Sequence, residues 1–226
     1  MTAPEPLPIG IMRTLIRANH ILHHYGAVDA FGHISVRHPA HPEHYVISAY
    51  MAPALVSKSE HLITYNVSDS SPVDPNAPKG YSERFIHGEM FKRYPGVNCV
   101  IHSHAPSVLP FAVVGVDDDV KLENTPRLKP VFHMAGFLGR EGAPTWDIER
   151  SYQSGEDQDL LVKSTHLGSS LANAFSKDKA GQESLPHHTV VVMRHHGFTT
   201  YGPDIEVRSA SLYEAFWESN VLTKCL

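Results

Sequence analysis

The stretch TVVVMR, residues 189–194, limits the fold more than any other part of the chain. Its apolar side chains run without polar alternation, and successive residues of a strand point to opposite faces, so this strand is buried on both. A strand covered on both faces calls for helices layered around one sheet.

Helices and further strands can be read around it. Ile11, Leu15, Ala18, Leu22 and Tyr25 recur at helical spacing and form an apolar stripe, with Arg13, Arg17, His20 and His24 turned to water. FGHISVRH alternates as a strand, with Ile34 and Val36 on one face and His33, Ser35 and Arg37 on the other. Short strands are expected at 44–48 and 61–66, and a turn-rich segment follows. SERFIHGEMFKRYPG reads as a helix capped by Ser82 and stopped by Pro95-Gly96, ahead of a strand from Cys99 to Ile101. Residues 115–150 read as a long loop with one short strand at most, and 157–175 as a helix through Leu160, Leu161, His166 and Leu171. A last helix is expected after Asp204, with Ala210, Tyr213, Trp217 and Val221 on one side.

The 226 residues suit one α/β domain, 1–226, with residues 1–10 a loose, proline-rich lead. A net charge of −5 without a basic cluster argues against nucleic acid or an anionic membrane as partner. Two cysteines are too few for a disulfide framework, and neither a spanning segment nor a signal peptide is visible, so the expected location is cytoplasmic.

The chemistry concentrates in CVIHSHAP, residues 99–106. Residues two apart on a strand face the same way with side chains about 6–7 Å apart, so His102 and His104 can reach one ion. A catalytic metal commonly takes three protein ligands and keeps one position open, and RHHGF offers His195 or His196 as the third. With 17 histidines in the chain, spacing alone does not prove a site.

The order of the motifs adds to this. FGHISVR, YSERFIHGEMFKRYPGVNCVIHSHAPSVLPFAVVG and VVVMRHHGFTTYGPDIEVRSASLYEAFWES together resemble the class II aldolase/adducin family, from about residue 11 to the C-terminus. The resemblance implies a three-layer α/β/α sandwich around a largely antiparallel sheet, and a homo-oligomer, commonly a tetramer, with sites near subunit interfaces. It implies a divalent metal, zinc first and manganese, cobalt or iron next, on His102, His104 and His196, with His195 where asparagine is common. Glu83 matches the family glutamate that ligates the metal and then serves as general acid or base; otherwise it would be a first-turn glutamate favoured by the helix dipole.

Sugar-phosphate members carry paired serines before that glutamate, whereas here Tyr81 precedes Ser82, and Gly32-His33 replaces the Gly-Asn of the first block. The altered phosphate cradle suits a flatter, less charged substrate and resembles the aromatic-acid decarboxylase branch. His33 is a candidate catalytic residue, and Ser82, Tyr81, His133 and Arg127 are candidate substrate contacts, with Arg127 able to grip a carboxylate. His87 is expected to hold its helix in place; His20, His23, His24, His38, His41, His44, His61, His187 and His188 are assigned to surface or loops.

The leading expectation is a metal-dependent carbon–carbon lyase that decarboxylates a hydroxylated aromatic or keto acid. The alternatives are an aldolase or epimerase acting on a sugar phosphate, an iron-dependent oxygenation, and a non-catalytic adducin-like scaffold.

Overall fold

The computed structural model describes residues 5–113, 127–131, 133–176 and 184–205. Its elements in chain order are α1 (Ile9–His24), β1 (His33–Arg37), β2 (His44–Ser48), β3 (Leu62–Asn66), α2 (Arg84–Arg93), β4 (Cys99–Ser103), α3 (Leu109–Val113), β5 (Thr145–Trp146), α4 (Thr165–Asn173), β6 (Val190–Met193) and β7 (Gly197–Gly202). The strands make one sheet in the order β3-β2-β1-β4-β7-β6-β5. Every pairing is antiparallel except β5 with β6.

Residue parity decides which layer each side chain enters. Ile34, Val36, Cys99, Ile101, Val190 and Val192 pack in one core with Leu15, Ala18 and Leu22 of α1. Tyr45, Ile47, Val100, Val191 and Met193 pack in the other with Ile86, Met90 and Phe91 of α2 and Leu167 and Leu171 of α4. The result is a three-layer α/β/α arrangement, and burial of each large apolar side chain contributes about 1.5–3 kcal/mol relative to exposure.

His33, Ser35 and Arg37 alternate with Ile34 and Val36 and so face α2, in a layer where polar groups need partners. Arg37 donates to the carbonyls of Pro42, Phe91, Tyr94 and Val97. Two of those carbonyls lie at the C-terminal end of α2, where a cation also meets the negative end of the helix dipole. This arginine clamps α2 to the sheet.

Several elements differ from the sequence reading. The first helix begins at Ile9, inside the stretch expected to be loose, and Tyr25 lies at its C-terminal end, 39% exposed rather than in the buried stripe. Ser82 does not cap α2: it is exposed, and the cap position belongs to Glu83, with no side-chain cap bond. The helix expected from residue 157 starts only at Thr165, because Leu160 takes a positive φ of 65°, which no α-helix admits. VFHMAGFLG holds a 3-10 helix, His133–Leu138, where one strand was allowed for. GFTTYG is a strand where the sequence reading places no element. His38, assigned to surface or loops, lies in the loop after β1 but is 1% exposed. The helix expected after Asp204 lies outside the described residues.

Helices α2 and α4 touch at Gly168, where an added Cβ would stand 2.5 Å from the Phe85 carbonyl oxygen. Backbone cannot yield as a flexible side chain would. Gly168→Ala is expected to cost about 1–3 kcal/mol, read as a lower urea midpoint at unchanged m-value.

Candidate metal centre

β4 delivers His102 from its last turn of alternation, and His104 stands one residue past the strand end. The pairing of β4 with β7 sets His102 opposite Thr199 and Ser103 opposite Phe198. His196 ends the tight turn from β6 into β7, in which His195 takes a φ of 57°. That left-handed position explains why asparagine suits residue 195, since asparagine tolerates it more readily. An added Cβ at Gly197 would lie 2.2 Å from the Ser103 carbonyl oxygen, so only glycine lets the turn press close enough to β4.

The three rings converge. His102 lies 4.8 Å from His196 and 4.7 Å from His104 between centroids, and His104 and His196 stack at 5.1 Å. Glu83, 6% exposed, reaches over them from the start of α2, 3.5 Å from His196 Nε2 and 3.7 Å from His102 Nε2. Its Oε1 also accepts the Val162 backbone N–H at 3.0 Å. One potential ligand atom from each of the four residues lies within 4.8 Å of every other.

The proton positions in this cluster favour a cation. His102 Nδ1 lies 3.1 Å from the Phe198 carbonyl oxygen, which can only accept, so the N–H is on Nδ1 and Nε2 holds a lone pair. His104 Nδ1 lies 3.2 Å from both Asp29 carboxylate oxygens, which places its lone pair on Nε2 as well. The two Nε2 atoms face each other at 2.9 Å. Two lone pairs at that separation repel unless a positive charge lies between or beside them. Three imidazoles and one carboxylate are the donor set that zinc and its first-row neighbours accept.

Electrostatics act differently on His102 and His196. Burial holds the His102 pKa well below the ordinary histidine value, and the neighbouring histidines push it further down. Burial acts in the same direction on His196, but its hydrogen bond and charge interaction with Glu83 outweigh it and the net shift is upward. Burial raises the carboxyl of Asp29, yet the N–H donors of Phe31 and Gly32, together with His104, bring it below its usual value.

Other candidate residues fall around or away from this cluster. His33 sits directly across from His102 in the β1–β4 pairing, with ring centroids 5.1 Å apart. Tyr81 is buried with its ring 4.5 Å from His33, and its hydroxyl donates to the Met51 carbonyl. His195 turns out toward Glu149, 3.9 Å away. Ser82, next to Glu83 in the chain, and His133 are exposed, and Arg127 lies 4.0 Å from Glu141. His87 does more than steady its helix, since it bonds to both Ser35 and His33. Asp29 had no distinguishing mark in the sequence: a turn aspartate before a strand is common, and only the fold sets it against His104.

Comparison with known proteins gives a consistent result. The sequence profile described as Class II Aldolase and Adducin N-terminal domain matches residues 13–222. A curated relative, Decarboxylase tropJ of Talaromyces stipitatus, is 41% identical over 217 residues, covering 96% of this chain and 74% of its own. Among solved structures, an aldolase II superfamily protein from Pseudomonas syringae aligns with a TM-score of 0.68 at 18% identity, covering 97% of this chain and 76% of the other. YgbL from Escherichia coli, titled a putative aldolase/epimerase/decarboxylase, aligns at 0.67 and 12%, covering 95% and 88%.

His104 is oriented by Asp29 in the manner of a carboxylate–histidine–metal triad. Asp29→Ala is expected to weaken zinc binding by about 10–100-fold, and His102→Ala to abolish stoichiometric zinc, both measured by competition with a chromogenic chelator.

Proposed function

The chain belongs to the class II aldolase and adducin family, and from that premise we propose that it is a metal-dependent carbon–carbon lyase that decarboxylates a hydroxylated aromatic or keto acid. The facing lone pairs of His102 and His104, closed over by His196 and Glu83, carry the metal dependence. Decarboxylation is favoured over sugar-phosphate cleavage by the relative named a decarboxylase and by the dismantled phosphate cradle. Ser82 points to solvent and the Tyr81 hydroxyl is committed to the Met51 carbonyl, so neither is available to a phosphate.

When bound, the divalent cation would supply positive charge beside the oxygens of the substrate, where water is mostly excluded. His102, His104 and His196 would hold it, each presenting a neutral nitrogen. The reaction breaks the bond to the departing carboxylate carbon, which leaves as CO2 and leaves its electron pair on the substrate. The substrate carbon left with that pair then takes up a proton. Glu83 is the group assigned to deliver it: the Val162 N–H pins one carboxylate oxygen, and Oε2 lies on the side of His102. His33, across the sheet from His102, contacts the substrate, and the buried Tyr81 ring walls that side. By the same reading the metal is zinc, and the working form is a cytoplasmic homo-oligomer, a tetramer with sites near subunit interfaces.

A screen of hydroxybenzoates, phthalates and keto acids for CO2 release by the zinc-loaded protein is expected to find a substrate. Glu83→Gln should then retain zinc and lose about 10²–10⁴-fold in kcat. Full activity in His102→Ala would refute the assignment.

A further inference from the structure

Ser35, His87 and His33 form a buried chain on the α2 side of the sheet. The Ser35 hydroxyl lies 2.6 Å from His87 Nδ1, and His87 Nε2 lies 2.7 Å from His33 Nδ1. All three residues are at most 1% exposed. Neither imidazole has a carboxylate partner among the described residues, and a buried imidazole without one stays neutral.

A neutral imidazole carries one N–H and one lone pair, so the chain can run in only two directions. In the first, the hydroxyl donates to His87, His87 donates to His33, and His33 is left with its N–H on Nε2. In the second, each bond between the groups reverses. The Ser35 proton then needs another acceptor, and the described residues offer its hydroxyl no partner except His87. The second direction therefore leaves two buried groups unmet, the Ser35 O–H and the His33 Nε2 lone pair, whereas the first leaves only the His33 Nε2–H, and each unmet buried group carries its cost of desolvation.

The far end of the chain is unmatched. His33 Nε2 is buried without a partner among the described residues, and its ring lies beside that of His102. We propose that Ser35 and His87 are positioning residues that fix the tautomer of His33, so that His33 presents a standing Nε2–H donor to a carboxylate, phenolate or keto oxygen of the substrate. In this direction Nε2 cannot be a base, nor can it serve as a further metal ligand. The identity of the oxygen rests on the lyase reading; the proton assignment does not.

Neutron diffraction from the zinc-loaded protein tests the assignment without turnover. Deuterium is expected on Nε2 of His33 and of His87, and on Ser35 Oγ directed at His87. Deuterium on His33 Nδ1, or a bare Nε2 turned to zinc, would overturn the proposal. Nitrogen-15 spectra of histidine-labelled protein extend it to solution. Ser35→Ala is expected to leave His33 as a mixture of tautomers, and Ser35→Thr, which keeps the hydroxyl, to restore one. A single Nε2–H tautomer persisting in Ser35→Ala would show that Ser35 does not set it. Failure to find CO2 release would count against the lyase reading and leave these proton positions as measured.

Discussion

The close antiparallel contact of β4 with β7 governs the site. It joins residues almost a hundred positions apart, and it sets the end of the His102 strand against the turn that carries His196. The Phe198 carbonyl also receives the His102 N–H across this contact, so one strand pairing both places a ring and decides which nitrogen it turns inward. Gly197 makes the approach possible, since any side chain there would meet the Ser103 backbone.

Around that contact the protein accepts an unfavourable concentration of polar groups. His33, His87 and His102 lie in the same buried layer as apolar residues of α2, and burial suppresses their charging. A layer of this kind stays intact only if its donors and acceptors are mutually satisfied. Arg37 does so for the carbonyls around the end of α2, Asp29 for His104, and Ser35 for His87. The facing Nε2 lone pairs of His102 and His104 and the unmatched His33 Nε2 lie close together. Incomplete satisfaction within a site is where a ligand or cation has something to contribute.

Much of the architecture was legible because period and burial coincide. The β2 strand and the β1 alternation follow the two-residue repeat, and the buried residues of α1 follow the helical one. Misreadings arose where local pattern and tertiary contact disagreed. Leu160 and Leu161 extend a helical pattern, but residue 160 adopts a left-handed conformation beside Val162, whose N–H is engaged by Glu83. Ser82 has the composition of a cap, yet the chain turns so that Glu83 takes the position and reaches toward the histidines. In the candidate site, the resemblance singled out His102, His104, His196 and Glu83, which converge; Ser82 came from the same motif comparison and is exposed beside Glu83, whereas His133 and Arg127 were chosen on residue type.

The sequence by itself determined the layered α/β class, through apolar runs whose periodicity leaves little choice of partner, and it marked which histidines belong to a motif. It could not determine direction. Which nitrogen holds each proton, and that Asp29 and Ser35 stand behind the rings, depend on hydrogen bonds between residues distant in the chain. Those bonds exist only after the sheet has fixed its register, because a hydrogen bond is set by distance and angle, and neither is written in residue order.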